Sequence, residues 1–415
     1  MPAPQVRVFV DFDSDTAFET NPLILGSATE GILGTNRLGS GTLPVEITSL
    51  VERIGIRRGR NRITGQFVPG TADVQLYDQN GDWNPANTSG AYYPDLVPLR
   101  QIIIYATYGG SDYYIFSGYI QAYDTGFWQG NEDVSRVTLR CVDGFRLLTG
   151  AIITTVTGGT AGQDSGARVN SILDQINFPL SLRNIDTGDS TLQADPGTQR
   201  NVLEALQTVE NSEFGGIFLD GQGIINFKNR DAMVSTPATA AYSFADDGTN
   251  ISYQNAVVAF DDTTLINSVT VTRTGGSAQT AFDQPSIDKY FLHSGTRSDI
   301  LVQTDTESLN QAQAILATRK DPEPRIDSID LNLYDDTNVN KPLSGVDIEL
   351  LDGVTVLKTM PGSTSITQNS VVIGINHDIT KSSWNTRLFT SEPLVAGFVL
   401  DSSIDGILGT DVLSY

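Results

Sequence analysis

Short runs of β-branched and aromatic residues, cut by glycine, asparagine and aspartate turns, fill both ends of the chain and restrict it to a β-rich fold. VRVFVDF, DVQLYD, RQIIIYATY, YYIFSGYI and VSRVTLRCV follow one another before residue 150. Each is shorter than a typical helix and rich in side chains that suit a pleated surface. Tyr108-Gly109-Gly110-Ser111 predicts a tight hairpin between two of them. The spacing predicts a barrel or sandwich over residues 46–153, behind an N-terminal extension of residues 1–45.

The hydrophobic period changes after the small, polar stretch Thr154 to Asp164. Behind Ser165, a candidate N-cap, Val169, Ile172, Leu173 and Ile176 recur at helical spacing, and Pro179 closes the segment. A second helix follows Pro196-Gly197, striped by Val202, Leu206 and Val209, and IFLDGQGIINF predicts a hairpin turning at Asp220-Gly221. Residues 165–230 therefore read as an α+β insert. Periodicity is lost again over residues 231–250. Residues 240–395 return to strands, beginning with NAVVAF and LINSVTVTR and interrupted by one helix at about 305–320. Thr304 and Glu307 have capping-box spacing ahead of it, and Asp321-Pro322-Glu323-Pro324 stops it. The expected class is mainly β with an α+β insert, two β regions bracketing a small helix and hairpin unit, and a C-terminal segment 396–415.

The 415 residues suggest two or three domains at roughly 150 residues each. The net charge of −23 argues against general affinity for nucleic acid or anionic membrane, which needs a basic surface. No apolar run approaches the ~18 residues of a spanning helix, and MPAPQVRVFVDFDSD lacks the order of a signal peptide, so a cytoplasm-made chain is expected. One cysteine, Cys141, excludes an intramolecular disulfide framework. Two histidines, His293 and His377, leave little for a His-based metal site.

Residues 23–38 and 398–413 match at eight of sixteen positions without a gap. Such a repeat near both termini reads as a docking clip, with Ile32, Leu33 and Leu38 answered by Ile407, Leu408 and Leu413, able to add a strand to a neighbour. Arg53, Arg57, Arg58, Arg60 and Arg62 gather five cations within ten residues of an acidic chain. One reading is a hairpin neutralised by the chain's own acids; the other is an interface with an acidic neighbour, where arginine forks fix register.

Signals for chemistry are weak. Asp78-Gln79-Asn80-Gly81-Asp82 and Asp11, Asp13 and Asp15 have calcium-loop spacing. Both lack the glycine at position 6 and the glutamate at position 12, so turns are expected. Cys141 alternates with apolar neighbours as a buried thiol does. His377 precedes Asp378 without any nucleophile signature, and TVTGGTAG lacks the GK[ST] ending of a phosphate loop. No catalytic residue, metal or cofactor is expected. Tyr113-Tyr114 and Phe127-Trp128 read as core or subunit interface. A β-rich carbohydrate-binding or glycan-degrading protein, using them as stacking surfaces, is the alternative from another class.

RIGIRRGRNRITGQFVPGTADVQLYDQNGDWNPAN, with PLRQIIIYA, IFSGYI, SGARVNSILDQI and NVLEALQTVENSEFGGIFLDGQGIINFKNR, resembles the minor tail proteins of long-tailed, siphovirus-type bacteriophages, especially those infecting actinobacteria. The similarity continues through TESLNQAQAILATRKDPEPRIDSIDLNL and HDITKSSWNTRLFTSEP to the terminal FVLDSSIDGILGTDVL. The resemblance implies a tail-tip hub of the virion: two β-barrels around an α/β insert, assembled as a homotrimer that caps the tail tube. It implies contacts with distal tail, tape-measure and receptor-binding proteins, and a passage for DNA during ejection. A six-copy distal-tail ring protein is the structural alternative. Within the chain, RQIIIYA…IFSGYI and GVTVLKT…VVIGINH share a strand, a linker and a strand with one interior glycine, Gly118 and Gly374. The pair predicts that the two β regions are related.

Overall fold

The computed structural model describes residues 3–12, 44–61, 65–127, 135–235, 239–334, 338–362 and 364–392. The first β region comprises β1 (Gln5–Asp11), β2 (Val45–Glu46), β3 (Val51–Arg60), β4 (Phe67–Asp78), β5 (Gln101–Tyr108), β6 (Ser111–Phe127) and β7 (Ser135–Val142). Strand β5 shows why these runs form strands: Ile102, Ile104, Ala106 and Tyr108 alternate inward while their neighbours face outward. Burying such an isoleucine contributes roughly 1.5–3 kcal/mol. Gly109 and Gly110, both at positive φ, make the expected two-residue turn into β6.

The insert begins with α1 (Phe145–Gly150) and the two-residue strands β8 (Ile152–Ile153) and β9 (Gln163–Asp164). Helix α2 (Ser165–Gln175) follows, then β10 (Arg183–Ile185), β11 (Thr191–Leu192) and β12 (Arg200–Asn201). Helix α3 (Val202–Glu213), β13 (Gly216–Leu219), β14 (Ile225–Lys228) and α4 (Arg230–Ser235) complete it. The cap of α2 is Asp164, not Ser165, because the Asp164 carboxylate accepts the Ala167 N–H at 2.7 Å. The stripe Val169, Ile172 and Leu173 is buried against α3.

The last region holds β15 (Tyr242–Ala245), β16 (Asn255–Ala259), β17 (Ser268–Arg273), β18 (Gln279–Phe282), α5 (Gln284–Tyr290), β19 (Ser294–Ile300) and α6 (Asp305–Arg319). It ends with β20 (Arg325–Asn332), α7 (Asn340–Asp347), β21 (Gly353–Met360), β22 (Thr364–Thr380) and β23 (Trp384–Ser391). The capping box at α6 is formed: Thr304 Oγ1 accepts the Glu307 N–H at 3.2 Å, and Glu307 accepts the Thr304 N–H at 2.7 Å. Strands β17, β18 and β19 make a sheet of their own under α6, with a separate small core of Val269, Val271, Ala281, Ile300, Val302 and Ala312.

The expected pair of closed β-barrels is corrected. Among the described residues thirteen strands form one open sheet, ordered β16-β20-β23-β22-β3-β4-β7-β6-β5-β1-β2, with β21 and β15 branching from β22. The outer edge of β3, free to close the first region on itself, is instead hydrogen-bonded to β22 of the last region over Gly374–Thr380. A strand edge has one set of backbone donors and acceptors, so joining the regions precludes closure there.

The open sheet contains the same arrangement twice. The path β3-β4-β7-β6-β5-β1 and the path β16-β20-β23-β22-β21-β15 have one spatial order and one chain order. The central strands β6 and β22 are each 17 residues long and bulge at matching points, between Ile120 and Ala122 and between Val372 and Gly374. Leu99 and Leu351, at φ 70° and 71°, donate to the carbonyls of Ile120 and Val372 at 2.7 and 2.8 Å. The register makes Ala122 the counterpart of Gly374 and Ser370 the counterpart of Gly118, so the two glycines are not equivalent. The outermost strands differ: β1 runs antiparallel to β5, whereas β15 runs parallel to β21.

Candidate functional site

The pleat of β3 divides the arginine run between two faces. Ile54, Ile56 and Arg58 point inward, whereas Arg53 and Arg57 are exposed on the other face. Arg58 is 6% exposed and ties three parts of the chain together. Its Nη1 lies 2.6 Å from Glu349 Oε1, ahead of β21, and 3.4 Å from the carbonyl of Leu219 at the end of β13. Glu349 also accepts the N–H groups of Gly221 at 2.9 Å and Leu350 at 2.7 Å. Arg60 donates to the Gly65 carbonyl and lies 5.8 Å over the Phe67 ring.

On the outer face the strands β3, β22, β23 and β20 form the floor of an open concavity of about 580 Å³. Two ion pairs cross it: Arg53 to Asp378 at 2.8 Å and Arg387 to Asp330 at 2.5 Å. Both are solvated and contribute little stability, but each links adjacent strands in one register. Arg57, opposite Asn376 of β22, makes no ion pair among the described residues. The arrangement can hold an acidic or amide-bearing surface; it holds no cluster of metal-ligating side chains among the described residues.

Arg62 and the clip residues Ile32, Leu33, Leu38, Ile407, Leu408 and Leu413 lie outside the described residues, as do Asp13, Asp15 and Trp128. Asp78 closes a turn, its carboxylate accepting from Asp82 N at 2.9 Å and Trp83 N at 3.1 Å. Cys141 is buried, and burial pushes its thiol pKa upward. Tyr114 stands 5.6 Å from the Tyr105 ring, half-exposed on the sheet. Asp330, Arg387 and Glu349, and the pairing of Asp378 with Arg53, were invisible to sequence reasoning because nothing local announces which distant strands become neighbours.

His377 sits beneath the concavity, with Nδ1 accepting from the Trp384 indole N–H at 3.3 Å and lying 2.9 Å from the Thr386 hydroxyl. Its neighbour Asp378 points to the opposite face, toward Arg53, so the two form no catalytic pair. Burial, helped by Arg58, pushes the His377 pKa down to about 3 from 6.5. The unfolded chain therefore binds this proton below about pH 6.5 while the folded chain refuses it until about pH 3. The contribution is present above that window and falls by about 1.4 kcal/mol per pH unit on acidification. Between pH 7 and 5, His377→Gln should lose about 2 kcal/mol less stability than the unaltered chain in urea titrations. Equal losses would mean that the folded imidazole is charged. Asp143 and Glu210, both raised to about 7 chiefly by burial, act in the opposite sense and cancel in this comparison.

No protein-family model matches the chain, and no curated protein matches its sequence. Solved structures do. The tail protein from Neisseria meningitidis MC58 aligns over 94% of this chain and 96% of its own, with a TM-score of 0.57 at 12% identity. The 43 kDa tail protein of prophage MuSo2 from Shewanella oneidensis aligns over 85% and 97%, with a TM-score of 0.55 at 14% identity. The chain shares the fold of these two tail proteins. With the first of them the correspondence runs over nearly the whole of both chains, so it takes in both the insert and the duplicated sheet.

Proposed function

We propose that the chain is a structural, non-enzymatic hub protein of a phage tail tip, assembled as a ring that caps the tail tube. The reading is carried by a duplicated sheet within a fold shared along almost its whole length with two tail proteins. Two similar halves per chain let three copies present six similar units around one axis, which suits contact with a six-fold tube. The distal tail and tape-measure proteins and receptor-binding proteins are the partners of this reading. The site above the joint, where Arg57 makes no ion pair among the described residues and Arg53 lies on the same face, is proposed to receive an acidic partner surface, where arginines set register and speed docking. The net charge of −23 gives a ring lumen the sign that repels DNA phosphates, so a genome passes without adhering.

Light scattering of the purified full chain, with negative-stain images of the same sample, tests the ring. Three copies around an axial hole are expected. Six copies would favour the distal-tail alternative, and solitary particles without a hole would overturn the ring.

A further inference from the structure

Duplication of the sheet makes one observation unusual: the joint that unites the two halves exists once, although its parts exist twice. Strand β22 pairs with β21 up to Val371 and then, on the same side, with the edge of β3 from Gly374 to Thr380. Strand β6 pairs with β5 up to Tyr119, and Leu99 and Arg100 extend the pairing to Ile120. Beyond Ile120 that side of β6 has no strand partner among the described residues. The counterpart of β3 is β16, which ends the path with its outer edge unpaired among the described residues. Among the described residues, one chain therefore carries both an unpaired edge and an unpaired flank, each equivalent to a surface that it already joins internally.

Register gives the residues. Gly126 follows Ile120 by the interval at which Asp378 follows Val372, so it stands where Asp378 stands. Gly55 reaches Phe389's counterpart Arg140 through Asp73, and Val257 reaches Phe389 through Ser328, so Val257 stands where Gly55 stands. Inside the chain, Gly55 faces Asp378 and Arg57 faces Asn376.

We propose that the outer edge of β16 in one copy adds to the free flank of β6 in the next copy, Val257 facing Gly126 and Ala259 facing Asp124, repeating the β3–β22 joint between chains. The edge sequence supports this occupant. Asn255–Ala259 and Phe260 carry no charge and no proline, and Val257 and Phe260 are 43% and 67% exposed. Free strand edges are ordinarily protected by charge, proline or cover, and this one calls for a cover. The joint is head-to-tail, because edge and flank are different surfaces, so it generates a ring when the rotation closes. The inference rests on the ring reading for closure and adds the two surfaces that make it.

The test uses full-length chains with new cysteines. Facing residues of antiparallel strands have Cα atoms about 4.5–5.5 Å apart, within disulfide reach, and Cys141 is buried away from both. Mixed and mildly oxidised, Gly126→Cys and Val257→Cys chains should give a covalent dimer. The double variant should give a ladder ending at the ring's copy number, collapsed by reductant. Circular dichroism and urea midpoints of the reduced variants, matching the unaltered chain, establish that they fold. An oligomer by light scattering without these disulfides would overturn the joint and leave the ring. A monomer at every concentration, with no disulfide, would overturn both.

Discussion

Replacing Gly59 by valine should cost more than about 3 kcal/mol and separate the two β regions. Gly59 of β3 faces Gly374 of β22 in the joint. A Cβ on Gly59 would stand 2.7 Å from the Gly374 Cα and 2.8 Å from the Ile373 carbonyl oxygen. Both are backbone atoms, so no rotamer change relieves the clash, and β3 must leave β22 or carry the strain. The opposite glycine is more tolerant, since a Cβ on Gly374 first meets the Phe389 ring at 3.2 Å, a side chain that can shift. Gly374→Ala should stay within about 1 kcal/mol. Urea midpoints of the two variants measure this asymmetry, and equal effects would remove close backbone approach as the reason for glycine at position 59.

Arg58→Ala should cost about 3–5 kcal/mol, the usual penalty for removing one partner of a buried ion pair. The loss has three parts: the bond to Glu349, the bond to Leu219, and the packed stem within the sheet. Arg58→Lys should recover little, because both bonds leave from Nη1 and a lysine ammonium ends one bond short of that nitrogen. Arg58→Met with Glu349→Gln should recover most of it, since the stem volume returns and no buried charge is stranded. Denaturant midpoints decide the matter; a cost below about 1 kcal/mol for Arg58→Ala would mean that the three regions are held together elsewhere.

The arginine run shows where sequence reading stops. Five cations in ten residues looked like one patch, but a strand alternates its faces. Arg58 therefore became an internal strut and Arg60 a partner of Gly65 and Phe67, while Arg53 and Arg57 remained outside. Their neighbours across the concavity come from strands more than 250 residues away. The related pattern in the two β regions was visible as a strand, a linker and a strand. The glycines chosen to align it were not counterparts, because the register depends on bulges that no spacing records.

Local chemistry settled what lies within a few residues. The Gly109-Gly110 hairpin, the Thr304–Glu307 capping box, the stripe of α2 and the alternation of β5 follow from dihedral preference and hydrophobic period alone. Tertiary structure decided that two β regions become one open sheet, that Ser268–Arg273 joins a separate small sheet, and that Arg58 spans three regions. These outcomes depend on which strand edges find each other across hundreds of residues. Edge pairing is a contest among many alternative partners, and close backbone approach and buried area choose the winner after local structure has formed.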